Sequence, residues 1–246
     1  MGRDLKALLL VADAPCMDQL LPSSSAGSSA LGRVAGQYAR ATARRYIWRT
    51  LTAFLVLAAA FPIAGLLVGF HNMALVPIEL AMIALTFVVD RVASPIVERW
   101  QRGASGEERV GEIIDGLHTQ GWLALHDAWT GRGNVDHILV GPAGLFTIET
   151  KSHAGRIDPD RIDARMLKQA YAQSKAVEKL TGLHVEPLLV FSRAYLAQRA
   201  VTHRRGVTIL PARMLPRFLD ALAQGIPAAR IAAVHKSLAD GLDDIT

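Results

Sequence analysis

The sequence predicts an α/β domain preceded by two apolar helices of membrane-spanning length. Three observations carry that expectation. Residues 134–140 and 145–151 are β-branched and apolar runs on either side of Gly141-Pro142-Ala143-Gly144. In such a turn Pro presets φ and Gly accepts φ > 0, so the pair reads as a hairpin. Further strand-like runs at 122–128, 185–191 and 207–210 alternate with stretches of helical period, which is the order of an α/β fold. Finally, residues 51–70 hold no charged side chain and residues 73–89 hold only Glu79.

Composition supports this division. The chain has 246 residues and is 51% hydrophobic, an excess that collects in 51–89. The single cysteine, Cys16, excludes an internal disulfide and a Cys-based zinc site. The formal charge of +5 is uneven, and residues 91–246 are only mildly basic. That permits nucleic-acid binding there without requiring it.

In chain order, residues 6–12 are a short apolar run without a convincing cleavage pattern behind it, and residues 23–29 have the composition of a flexible linker. Residues 31–50 have a helical pattern rich in arginine, suited to an anionic membrane surface. At 1.5 Å per residue the run 51–70 covers about 30 Å, the thickness of a bilayer's hydrocarbon core. Pro62 is tolerable inside such a helix. After a break at His71-Asn72, residues 73–89 make a second span, in which Glu79 is either protonated or turned to the partner helix. Arg40, Arg44, Arg45 and Arg49 precede the first span, and Arg91, Arg99 and Arg102 follow the second. The positive-inside rule then puts both termini and the C-terminal domain on the cytoplasmic side of the cytoplasmic membrane. The expected division is a basic N-terminal segment 1–50, a transmembrane hairpin 51–90, a linker 91–103 and an α/β domain 104–246. Ser94-Pro95 is expected to break the linker's helix, and Gly103-Ala104-Ser105-Gly106 to act as a hinge.

Within the domain, residues 107–117 form an amphipathic helix with Ser105 as N-cap and Val110, Ile113, Ile114 and Leu117 as its buried stripe. Glu107 lies at the edge of that stripe, facing the sheet, while Glu108 points nearly opposite. Residues 165–180 make a second helix. Pro187 marks an edge or an irregular start for the strand 185–191. Helical stretches at 211–223 and 226–242 close the chain.

The chemistry concentrates in the hairpin. Side chains alternate along a strand, so Glu149 and Lys151 share one face and Phe146 and Ile148 the other. Asp136, on the partner strand, reaches the face of Glu149 in normal register. Two close carboxylates repel unless a cation sits between them, and oxygen ligands suit a hard ion such as Mg²⁺, with Mn²⁺ as a substitute. A lysine beside that ion would orient a water or steady a phosphorane. Arg132, Arg156, Arg161 and Lys168 flank the hairpin as candidate contacts to backbone phosphates. His137 has the opposite parity to Asp136 and is expected on the far face, whereas His153 is placed to approach a scissile phosphate.

These residues resemble a known family. Gly106-Glu107 with Val110, the run Val135-Asp136-His137-Ile138-Leu139-Val140-Gly141-Pro142, Gly144-Leu145-Phe146, Ile148-Glu149-Thr150-Lys151, Gly155 and Gln169-Ala170 are similar to the nuclease-related domain (NERD) family of the PD-(D/E)xK nuclease superfamily. The likeness covers roughly 104–220. It implies a restriction-endonuclease-like fold, a mixed sheet flanked by helices. It also implies roles: Glu107 as the helix glutamate supporting the metal site, Asp136 and Glu149 as metal ligands, Lys151 as the lysine acting on water or the transition state, and Gln169 as the helix residue completing the site. Val135 stands where the superfamily places a proline.

The expectation is a membrane-anchored, Mg²⁺-dependent nuclease, acting on DNA at the cytoplasmic face. The alternative is a catalytically silent, membrane-tethered nucleic-acid-binding or scaffold protein of the same fold.

Overall fold

The computed structural model describes residues 30–69, 75–197 and 201–245. The expectations for residues 6–12, 23–29 and the break at His71-Asn72 lie outside them. The apolar stretches form two long helices, α1 (Gln37–Val68) and α2 (Leu75–Asp115), packed side by side. Near the base of this pair the Tyr38 and Trp100 rings meet edge to face at 6.5 Å, and Arg40 is ion-paired with Glu108. By length and composition, one helix among the described residues suits a bilayer, and it runs from Gln37 to Leu67 with 7% of its apolar window buried. Residues 75–89 of the second expected span are the first part of α2 and do not end as a helix of their own. This apolar part contains Glu79 and runs directly into Asp90 and Arg91 within α2.

The expected linker 91–103 and the hinge at 103–106 are also corrected, because α2 passes through both without a break. Pro95 is absorbed inside the helix. Ser105 is not an N-cap; its hydroxyl donates back to the Gln101 carbonyl one turn earlier. The small residues here serve close packing. Ala104 and Gly106 are buried, and a Cβ on Gly106 would lie 2.8 Å from Ser192 Oγ and 2.9 Å from Ser152 Cβ. Small side chains therefore let α2 press onto the sheet.

After a 3₁₀ turn at Gly116–Gln120, the sheet begins with β1 (Leu123–Trp129), β2 (Asn134–Gly141) and β3 (Gly144–Ile157). Helix α3 (Ala164–Thr181) leads to β4 (Val185–Leu196), followed by β5 (Thr202–Arg204), β6 (Val207–Pro211), α4 (Leu215–Asp220) and α5 (Ala228–Asp243). Strand order is β1-β2-β3-β4-β6-β5. Strands β1 to β3 are antiparallel, β3, β4 and β6 are mutually parallel, and β5 returns antiparallel to β6. The mixed sheet flanked by helices matches the expected architecture.

The turn forms as expected, with Gly141 opposite Gly144. Trp122 fills the space where a Cβ on Gly141 would sit. One face of the sheet, with Ile138, Val140 and Leu145, packs on Val177 of α3 and Ile231, Leu238 and Leu242 of α5. The other face, with Leu139, Phe146 and Ile148, packs on Val110 and Ile114 of α2 and Leu215 and Leu219 of α4. Fully burying each such side chain is worth roughly 1.5–3 kcal/mol. Pro187 lies in a central strand, one residue before the β4–β6 ladder begins at Leu188, so it stands at that ladder's start and not on a sheet edge.

One feature of the register positions the site. The β2–β3 ladder stops at His137↔Ile148, while β2 continues against β1 as far as Asn134 and β3 continues against β4 as far as Ile157. The sheet therefore forks between β2 and β3. Asp136 stands at the fork.

Candidate active site

At the fork, a side chain replaces a ladder bond. The Thr150 N–H donates to Asp136 Oδ2 at 2.7 Å, pinning the carboxylate beside β3. Next along β3, Lys151 Nζ donates to Glu149 Oε1 at 2.5 Å and to Gln169 Oε1 at 3.2 Å. Glu149 is 3% exposed, and its other oxygen accepts from Gln173 Nε2 at 2.5 Å. Gln169 and Gln173 are one turn apart on α3, so one helix face carries both amides to the sheet. Phe146 and Ile148 point away into the α2 side, as the alternation requires.

Glu107 completes the group from α2, where Gly106 lets the helix approach β3 and β4. Burial, then Asp127 and Glu149, push its carboxyl up to about 8, against the opposing pull of Lys151. Burial, then the Glu149 and Glu107 charges, hold Asp136 well above the usual carboxylate range, opposed by the Thr150 N–H. Burial works against the charge on Lys151, yet Glu149, Asp136 and Glu107 hold its ammonium above the ordinary lysine value. The lysine is thus a cation among carboxylates, and two of those carboxyls resist ionising together.

The structure therefore brings together Glu107, Asp136, Glu149, Lys151 and Gln169. It leaves the expected phosphate contacts outside this group. Arg132 is exposed in the loop joining β1 and β2. Arg156 is exposed near the end of β3, with Nη2 3.5 Å from the Ala197 carbonyl; Arg161 is exposed in the turn before α3 and Lys168 on α3 itself. His153 is exposed and stands edge-on to Phe191, the register partner of Lys151, at 6.0 Å. His137 lies on the far face as expected. It is fully buried there, its Nδ1 2.8 Å from His126 Nδ1, while His126 Nε2 meets Asp115 Oδ1 at 3.0 Å. Burial, then His126, hold the His137 imidazole well below its ordinary value, so it is neutral.

Three residues were missed from sequence: Gln173, Asn134 and Asp127. The Gln173 amide spans from Glu149 to the Asn134 carbonyl, at 2.9 Å. The four-residue step from Gln169 was the signal that could have found it. Asn134 Nδ2 in turn donates to Asp127 Oδ1 at 2.9 Å. Nothing local in the sequence marks Asp127, because its other partners lie in α1 and just before it.

The donor set suits a hard divalent cation. Among the described residues no three His, Cys, Asp or Glu side chains form a ready-made metal cage. Mg²⁺ does not need one, since it keeps several waters and takes one or two carboxylates with substrate oxygens. Asp136 and Glu149 supply the carboxylates. Gln173 Oε1 is a buried acceptor with no protein partner beside them, as a bound water would require.

The model of the family described as nuclease-related domain matches residues 102–192. An uncharacterized protein of Bacillus anthracis is 31% identical over 84 residues, covering 32% of this chain. The chain spans 39% of that relative's length. No solved structure matches the chain.

Proposed function

We propose, from the match of residues 102–192 to the nuclease-related domain family, that the protein is a membrane-anchored, Mg²⁺-dependent nuclease hydrolysing phosphodiester bonds in DNA at the cytoplasmic face. The observation that carries the proposal is the convergence of Asp136, Glu149 and a charged Lys151 at the fork of the sheet. A divalent ion held by Asp136 and Glu149 would polarise the phosphate and lower the pKa of a bound water.

The chain's own residues do the rest. The surrounding carboxylates favour the protonated form of Lys151, which suits it to act as fixed positive charge beside the developing phosphorane. Gln169 holds the ammonium from one side and Glu149 from the other, which fixes its position before the substrate arrives. Gln173 holds Glu149, and the Thr150 N–H holds Asp136. Glu107 retains a proton near neutral pH in the metal-free protein and lowers the repulsion among the three carboxyls. Exposed Arg132, Arg156 and Lys168, outside the carboxylate group, would serve as sequence-blind contacts to the phosphate backbone.

The membrane part of the proposal rests on α1 and the first half of α2. Leu55, Leu66, Leu67 and Ile83 are all more than half exposed, and unpartnered apolar surface of this extent calls for a nonaqueous neighbour. Arg44, Arg45, Trp48 and Arg49 line a groove at the base of this surface, the collar expected where a helix enters a bilayer.

The engagement of both Glu149 oxygens by Lys151 and Gln173 favours the second reading, a tethered nucleic-acid-binding protein without turnover. Mn²⁺ binding to the full chain, together with cleavage of supercoiled and linear DNA in Mg²⁺ or EDTA, separates the two. Metal binding with EDTA-sensitive cleavage supports the nuclease. DNA binding with neither supports the silent binder.

A further inference from the structure

Helix α1 starts without a side-chain cap of its own, at Gly36 in a left-handed conformation with φ 74°. Its orphan N–H groups are met by a residue 89 positions away. The Tyr38 N–H donates to Asp127 Oδ2 at 3.0 Å; burial raises the Asp127 carboxyl, and the Tyr38, Asn134 and Gln37 contacts oppose that rise. Asp127 is buried, sits at φ 50° and accepts from Arg33 Nη1 on its carbonyl at 3.1 Å. A non-glycine residue in that region of φ is strained and persists only where its surroundings fix it. Here three groups from residues 33–38 do so.

The other oxygen of Asp127 faces the active site. Asn134 Nδ2 donates to it, the Asn134 carbonyl accepts from Gln173 Nε2, and the second Gln173 N–H donates to Glu149 Oε2. This is a continuous run of hydrogen bonds from the first turn of α1 to the glutamate that pairs with Lys151. The donor and acceptor at each step are determined, because Gln173 donates both its amide protons and Asn134 presents its NH₂ to a carboxylate. Asp127 also acts on Glu107 through space, raising its carboxyl.

We propose that Asp127 is a positioning residue that couples the start of α1 to Glu149 through Asn134 and Gln173, so that residues 33–40 are part of the active-site framework although the family match begins only at residue 102. The metal half of this inference rests on the function proposed above; the coupling itself does not. Any tilt of α1 then reaches the carboxylates, and a fragment cut at the start of the matched region lacks the groups that hold Asp127 in place.

The test uses the full chain and reads both ends of the network from its middle. Amide exchange at Tyr38 is measured in the metal-free protein, and Mn²⁺ affinity by direct titration, for wild type and Asn134→Ala. Asn134→Ala should speed exchange at Tyr38 and weaken Mn²⁺ binding, each by about tenfold, the lower end of the range for groups supporting metal ligands. The double variant Asp127→Asn/Asn134→Asp reverses donor and acceptor within the pair and should restore both readings to within about threefold of wild type. A purely local cap would leave Mn²⁺ affinity untouched. Wild-type values at both ends in Asn134→Ala would overturn the coupling. Should Asn134→Ala fail to fold, the reversed pair decides, since failure to recover either reading also overturns it. A wild-type chain that binds no Mn²⁺ sinks the metal-dependent function, and Tyr38 exchange alone then decides the coupling.

Discussion

The two halves of helix α2 share one backbone and have opposite surroundings. From Leu75 to about Pro95 it shows apolar residues to the outside, with Leu80, Ile83, Phe87 and Val88 all more than half exposed. From Ala104 to Asp115 it turns Ala104, Val110 and Ile114 inward against the sheet and α1, with Glu107 facing the carboxylates. Among the described residues, nothing covers the exposed apolar side chains of the first half. The second half is a wall of the candidate site, with Glu107 beside Glu149 and Lys151. The helix runs from one half to the other without a break.

The largest effects are expected at the inner half's target. Lys151→Ala and Asp136→Ala should each lower DNA cleavage by about 10³-fold or more, the scale for losing fixed charge at a developing anion or a metal ligand. Full activity in Lys151→Ala would contradict the site. Next come the contacts that make α2 continuous. Gly106→Val should destabilise the folded α/β unit by roughly 1–3 kcal/mol in denaturant titrations, the usual cost of overpacking. A hinge glycine would tolerate it, so unchanged stability would restore the linker reading. At the outer half, Leu55→Arg or Leu66→Arg should release the chain from the membrane fraction. A central charge costs about 2.5–3.5 kcal/mol on insertion. Thermal unfolding of the α/β unit should not change. Retention in the membrane fraction would argue against α1 as the anchor.

The smallest effect concerns pH. The Glu107 carboxyl is raised from 4.5 to about 8, so the native metal-free protein keeps a proton that the unfolded chain releases. Its stabilising contribution is complete below the unfolded value and fades as pH rises through the folded one. Stability of the metal-free chain should therefore fall between pH 5 and 8 by something on the order of 1 kcal/mol, discounted for the residue's partial exposure. Glu107→Gln should flatten that slope; an equally steep slope in the variant would assign it elsewhere.

The same comparison explains what could be read from sequence. The hairpin around Gly141–Gly144 and the parity of Glu149, Lys151 and His137 were legible because strand alternation and turn chemistry are local. Glu107's orientation was legible from helical period alone. The continuity of α2 was not. Gly103-Ala104-Ser105-Gly106 has the composition of a hinge, and only the closeness of Ser152 and Ser192 shows that these residues are small for packing. Strand β5 was too short to leave a pattern. Asp127 was invisible for the same reason as the packing glycine. Its meaning lies in Tyr38 and Asn134, which folding brings to it.

The most direct test of the central claim is cleavage of supercoiled DNA by the full chain in detergent or a reconstituted bilayer, with Mg²⁺ or with EDTA, for wild type beside Lys151→Ala. The account predicts nicking or linearisation by wild type in Mg²⁺, none in EDTA, and none by the variant under either condition. Intact DNA in every lane, from a wild-type chain that also binds no Mn²⁺, would contradict it and leave a tethered nucleic-acid-binding domain in place of an enzyme.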